Sequence, residues 1–203
     1  MSVQVKICGL TRAEDVRCVA ECEAEFAGFI LYEKSRRYVS PRQIRELTRL
    51  LPASTTKVGV VVNASPAFAI EACAVGGLDL IQFCGDEPVE TVAAMPRAWR
   101  AVGLADEDAV RQALALPGEA VLVDSISDGA HGGTGRRCDW RLAALLAGQR
   151  TTVLAGGLNP ENVAEAVRQV RPFAVDVASG VEAAPGIKDH DKIRAFVRNA
   201  RNA

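Results

Sequence analysis

Apolar positions in this chain come in short, continuous runs, at residues 3–8, 27–32, 58–62, 78–83, 99–104, 120–124, 152–155 and 173–178. Continuous runs of this length read as parallel strands buried on both faces, whereas a half-exposed strand would alternate. Segments with helical spacing lie between them. Ser40-Pro41 places a capping residue before a proline at the first helical position, and Ser65-Pro66 and Asn159-Pro160 repeat the signature. They predict helices from residue 41, over 67–74 and over 161–170. Thr11, with Glu14 three residues on, has the spacing of a capping box and predicts a helix over 11–23. Further helices are expected over 139–147 and 189–199, and shorter ones near 87–94 and 106–116.

Eight strands alternating with about eight helices, at about 24 residues per repeat, fit the lower size limit of a (β/α)8 barrel, about 200 residues. The rival is an open doubly wound sheet, which carries fewer strands and a glycine fingerprint after the first. Here the first run ends in Ile7-Cys8-Gly9-Leu10, with no such fingerprint. No linker or low-complexity stretch interrupts the repeat, so the expectation is a single-domain (β/α)8 TIM barrel over residues 1–203.

Such a barrel gathers its reactive groups where the strands end. The ends here are Cys8, Tyr32 with Lys34, Asn63, Cys84, Asp124, Gly156-Gly157 and Ser179-Gly180. Cys8 reads either as a base or nucleophile with a lowered pKa or as a small buried residue. Asp124 closes a buried strand, which is costly unless the carboxyl is solvated, paired or protonated. Across one mouth the two would offer a base and an acid without histidine. Glycines cluster at Gly132-Gly133, Gly156-Gly157 and Gly180. Each alone reads as a turn. Three clusters at neighbouring strand ends favour a phosphate held by backbone amides and helix N-termini. The basic stretch Lys34-Ser35-Arg36-Arg37-Tyr38 lies on a βα loop and is either a solvated face or a carboxylate contact, since Arg binds carboxylates through two parallel bonds.

Composition narrows the field. At 203 residues, 49% of them hydrophobic, the chain can bury a full core, and its net charge of −1 argues against nucleic-acid binding. No apolar run reaches the roughly 18 residues of a membrane span, and the N-terminus lacks the apolar stretch of a signal peptide. Six cysteines without CxxC spacing read as reduced thiols in a cytoplasmic protein, with Cys18 and Cys22 as small buried hydrophobes. Two histidines, His131 and His190, leave little for a His-rich metal site. Phe26, Phe68 and Val39 are candidates for exposed apolar positions, and a homodimer stays open.

The motifs together resemble phosphoribosylanthranilate isomerase of tryptophan biosynthesis. Lys6-Ile7-Cys8-Gly9-Leu10-Thr11 carries the resemblance at the N-terminus, followed by Gly28-Phe29-Ile30, residues 34–41, and Lys57-Val58-Gly59-Val60 with Asn63. Later blocks are residues 132–135 with Asp139-Trp140, residues 156–163, residues 176–182, and Pro185-Gly186 with Lys188-Asp189. The resemblance spans residues 3 to about 200. It implies a cofactor-free and metal-free Amadori rearrangement of a phosphorylated small-molecule substrate. It places the general base on Cys8, the general acid on Asp124 and the anthranilate-carboxylate contact on Arg37. The phosphate falls to Gly133, Gly157 and Gly180, and Asp176 is a further mouth-facing residue. The family's Gln-Leu-His-Gly is Gln82-Phe83-Cys84-Gly85 here, so a thiol replaces an imidazole at a ligand-facing position. An indole-glycerol-phosphate synthase would instead want Lys and Glu at strand ends, and a barrel that only binds a phosphorylated ligand would need neither acid nor base.

Overall fold

The structure, a computed structural model, describes residues 2–125 and 138–203. Eight parallel strands close into a barrel: β1 Gln4–Ile7, β2 Phe26–Ile30, β3 Thr56–Val61, β4 Leu80–Phe83, β5 Ala98–Gly103, β6 Ala120–Asp124, β7 Thr152–Leu154 and β8 Ala174–Val177. The seam joins the two ends of the chain, with Gln4, Lys6 and Ile7 of β1 in register with Ala174, Asp176 and Val177 of β8. The (β/α)8 TIM barrel read from the run pattern is the architecture observed.

Period-two alternation divides the apolar residues between two cores. Phe26, Val58, Leu80, Trp99, Leu122 and Val153 fill the lumen, with the Phe26 and Trp99 rings edge to face at 4.8 Å. Their neighbours Val5, Ile7, Ala27, Val121 and Val175 point outward into the larger core under the helices. Phe26 and Val39 are therefore buried, and of the three residues expected at the surface only Phe68 is exposed.

The helices are α1 Ala13–Glu21, α2 Pro41–Thr48, α3 Pro66–Gly76, α4 Val89–Ala93, α5 Glu107–Leu114, α6 Trp140–Ala147, α7 Val163–Val170 and α8 His190–Arg201. Ser40 and Ser65 cap α2 and α3 as expected, with Gln43 completing a capping box at Ser40. Two expected starts move. The N-cap of α1 is Arg12, without a side-chain cap, because the Thr11 hydroxyl donates to the Gly186 carbonyl instead. At α7, Asn159 Oδ1 accepts from the backbone N–H groups of Glu161 and Asn162, which makes a turn and delays the helix to Val163. After β8 the chain makes a 3-10 turn, Ser179–Val181, then a two-stranded antiparallel hairpin of β9 Glu182–Ala184 and β10 Ile187–Lys188. This hairpin brings two charged side chains to the mouth.

Candidate active site

Cys8 follows β1 and is buried, its backbone N–H donating to the Val177 carbonyl at 2.8 Å. Two residues below it on the same strand face, Lys6 is wholly buried and its Nζ lies 3.1 Å from Asp176 Oδ1. Gly28 on β2 leaves room for both: a Cβ there would stand 2.9 Å from Cys8 Sγ and 3.1 Å from Lys6 Nζ. Burial pushes the Cys8 thiol above its ordinary value. The Lys6 ammonium works against that and the Asp176 carboxylate with it. Burial also penalises the Lys6 charge, but Asp176 and Cys8 outweigh it and hold the ammonium above its ordinary range.

Asp124 ends β6. Its carboxyl is pushed up by burial, pulled back by the Ser125 backbone N–H at 2.7 Å, and raised again by the Asp176 charge. A carboxyl raised in this way keeps a proton at pH values where an exposed one has lost it. Cys84, after β4, accepts from Gln82 Nε2 at 3.2 Å, and burial pushes its thiol up to about 12, so it stands at the mouth as a neutral group. Cys18 is buried and Cys22 half-buried, as expected of small apolar residues.

Arg37 meets Glu182 on the hairpin through two parallel bonds, Nε to Oε1 at 2.8 Å and Nη2 to Oε2 at 2.7 Å. The same carboxylate accepts from Lys188 Nζ at 3.0 Å, and Lys188 also donates to the Ala178 carbonyl at 2.9 Å. Burial would raise the Glu182 carboxyl, yet Arg37 and Lys188 hold it below its ordinary range. Arg37 is thus fixed in direction, its Nε and Nη2 edge committed to Glu182. Glu182 and Lys188 are visible in sequence only as members of a motif. Nothing in their spacing shows that a hairpin folds them onto Arg37.

A small cavity is lined by Asp124, residues 155–158 and residues 176–180. Gly157 and Gly180 therefore share one concave site with Asp124 and Asp176, while Gly133 lies outside the described residues. A Cβ on Gly180 would overlap the Leu158 carbonyl oxygen, so only glycine permits this approach of the last two βα loops. Asn162 ties the cavity's floor to α7 by donating from Nδ2 to the Gly157 carbonyl at 2.9 Å. Opposite, Glu87 is a residue the sequence does not single out. It accepts from the N–H groups of Asn63 (2.7 Å) and Gly85 (3.0 Å) and from Arg100 Nη1 (2.8 Å), joining the segments after β3 and β4 to the middle of β5. Glu87→Gln keeps the shape but removes the charge and one acceptor. It should lower stability by about 1–3 kcal/mol in denaturant unfolding. Unchanged stability would show that this brace carries no weight.

Among the described residues no group of three or more His, Cys, Asp and Glu could hold a metal, and no helix is long and apolar enough to cross a membrane. The fold and the mouth define a (β/α)8 barrel with an acid, a thiol and a glycine-lined cavity at the strand ends. Residues 5–199 match the family model described as N-(5'phosphoribosyl)anthranilate (PRA) isomerase. The N-(5'-phosphoribosyl)anthranilate isomerase of Thiobacillus denitrificans is 44% identical over 204 residues, covering 99% of both chains. A solved phosphoribosyl anthranilate isomerase in complex with reduced 1-(o-carboxyphenylamino)-1-deoxyribulose 5-phosphate superposes with a TM-score of 0.88, at 40% identity, over 99% of this chain and 100% of that one. Monomers generated from the dimeric enzyme of Thermotoga maritima superpose at 0.86, with the same identity and coverage. The chain belongs to the N-(5'-phosphoribosyl)anthranilate isomerase family.

Proposed function

We propose that the protein converts N-(5-phospho-β-D-ribosyl)anthranilate to 1-(2-carboxyphenylamino)-1-deoxy-D-ribulose 5-phosphate, with Asp124 as general acid and Cys8 as general base. Asp124 protonates the furanose ring oxygen, the ring opens, and the nitrogen lone pair makes an iminium. Cys8 then takes the proton from C2, and the electrons pass to the iminium nitrogen to give an enolamine, which tautomerises to the ketone. The nitrogen is the electron sink, so the proton transfers need only a base and an acid.

The observation that carries this reading is one mouth holding a thiol beside a buried ammonium, a buried carboxyl with a raised pKa, and a glycine-lined cavity touching that carboxyl. The cavity takes the phosphate, through backbone amides at Gly157 and Gly180 and through Gly133. Asp176 and Cys84 contact the sugar side of the substrate. Arg37 takes the anthranilate carboxylate with the edge that Glu182 leaves. A reduced cytoplasm suits a thiol base. The test is the rearrangement assayed with purified protein, followed through loss of anthranilate-type fluorescence. Turnover supports the reading. Tight binding of the product without turnover would make this a binding barrel.

Arg37→Ala should raise KM by about 10–100-fold with kcat little changed, because a carboxylate contact persists from ground to transition state. Glu182→Gln should raise KM less, since it loosens the guanidinium without removing it. If Arg36→Ala were the damaging change, the carboxylate would belong to Arg36. We also propose a homodimer, supported by the dimeric Thermotoga maritima relative. Sedimentation at micromolar concentration should give twice the chain mass, and a monomer would refute it.

A further inference from the structure

We infer that Lys6 is a positioning residue for the reaction: its buried ammonium, gripped by Asp176, is the counter-cation that favours the thiolate of Cys8 against the cost of burial. The inference rests on the reading of Cys8 as the base. Lys6 stands in the lumen directly above the apolar floor of Phe26, Leu80, Trp99 and Leu122, with no exposed surface. Its ammonium bonds to Asp176 on one side, and the Cys8 sulfur lies on the other, where the two groups act on each other electrostatically. The hypothetical Cβ of Gly28 would touch both the nitrogen and the sulfur, so the two lie against the same bare backbone.

A buried ion pair is a poor stabiliser. Desolvation offsets most of the attraction, and apolar replacements of similar volume are often neutral or stabilising. The floor of the lumen below is filled with apolar side chains, so the pair above it needs another reason. What it supplies is a fixed cation beside one sulfur. Among the described residues, the charged and titratable groups acting on that sulfur include Lys6 from β1, Asp176 from β8, Lys188 from β10, Arg37 from the segment after β2, and Cys84 from the end of β4. Lys188 is committed to Glu182 and the Ala178 carbonyl. Arg37 shares that Glu182. When Asp124 holds its proton, the three cations Lys6, Lys188 and Arg37 outnumber the two carboxylates Asp176 and Glu182 by one among these described residues, and ionising Cys8 removes the imbalance. The thiolate with a protonated Asp124 is therefore the neutral form of the cluster, and it is also the reactive form.

The test titrates Cys8 in the free, full-length protein through ultraviolet thiolate absorbance. Each protein is compared with its own Cys8→Ser counterpart, so the other thiols cancel. Lys6→Met should move the Cys8 titration to higher pH by about one to two pH units. It should lower kcat at neutral pH by about 10–100-fold and leave KM near its original value. Asp176→Asn keeps an acceptor for the ammonium but removes the negative charge, so it should move the titration the opposite way. A Lys6→Met titration superposing on the wild type overturns the inference. If Lys6→Met does not fold, Asp176→Asn decides alone, and a shift upward or no shift overturns it. The titration needs no substrate. An active Cys8→Ala variant would refute the base assignment, while this measurement would still report whether Lys6 governs the sulfur.

Discussion

Cys8→Ala and Asp124→Asn should each lower kcat by about 10²–10⁴-fold, the usual contribution of a positioned acid or base, while circular dichroism shows the barrel intact. In the proposed mechanism both groups act on protons that move only during the reaction, so KM should change much less than kcat. The pH profile carries more detail. In that mechanism the reactive pair holds one proton, on the carboxyl. Below the lower apparent pKa both groups are protonated, and above the upper one neither is, so the rate falls on both sides. Burial raises Asp124, and Lys6 opposes the rise at Cys8, which draws the two values together. The closer they lie, the larger the share of molecules with the proton on the carboxyl and the charge on the sulfur. Asp124→Asn should abolish the limb that Asp124 supplies. Retention of near wild-type kcat by either variant would remove that residue from the chemistry.

Gly180→Ala should raise KM for the phosphorylated substrate by about 10²–10⁴-fold. The methyl would collide with the Leu158 carbonyl, so the last two βα loops must separate and their amides lose aim. Two charge-assisted hydrogen bonds at about 1.5–3 kcal/mol each account for that range. Gly157 has φ +67, so Gly157→Val should act the same way through backbone strain. Inhibition by inorganic phosphate should weaken in parallel, while a dephosphorylated substrate analogue should lose little. An anion bound in a phosphate-soaked crystal at Arg36 and Arg37, with these loops empty, would reverse both ends of the substrate.

The strands were legible because each is a continuous apolar run with a polar or glycine residue at its end, and β6 begins and ends where the pattern puts it. Cys8, Asp124, Gly157 and Gly180 were legible by the same rule. Residues whose roles depend on distant partners were not. Lys6 sits inside an apolar run, and only the seam with β8 shows that its partner is Asp176. Glu182 and Lys188 reach Arg37 through a hairpin too short to leave a periodic signal. Thr11 has the spacing of a cap, but its hydroxyl is drawn to Gly186 by a contact across the seam. Local spacing therefore reports what the chain does within one or two turns, and the charged half of the site is built from contacts beyond that reach.

The same seam has a consequence for synthesis. Lys6 and Asp176 are 170 positions apart. At about 5–20 residues per second, a ribosome needs roughly ten to thirty seconds between making one and making the other. Through that interval β1 has no partner on its outer edge, Lys6 has no carboxylate, and Cys8 is an ordinary thiol on an unfinished chain. The mouth cannot be completed until the last strand is made, because Cys8 and the strand that carries Asp176 arrive at opposite ends of translation. A nascent or truncated chain lacking β8 would lose a strand and with it the environment of its own sulfur.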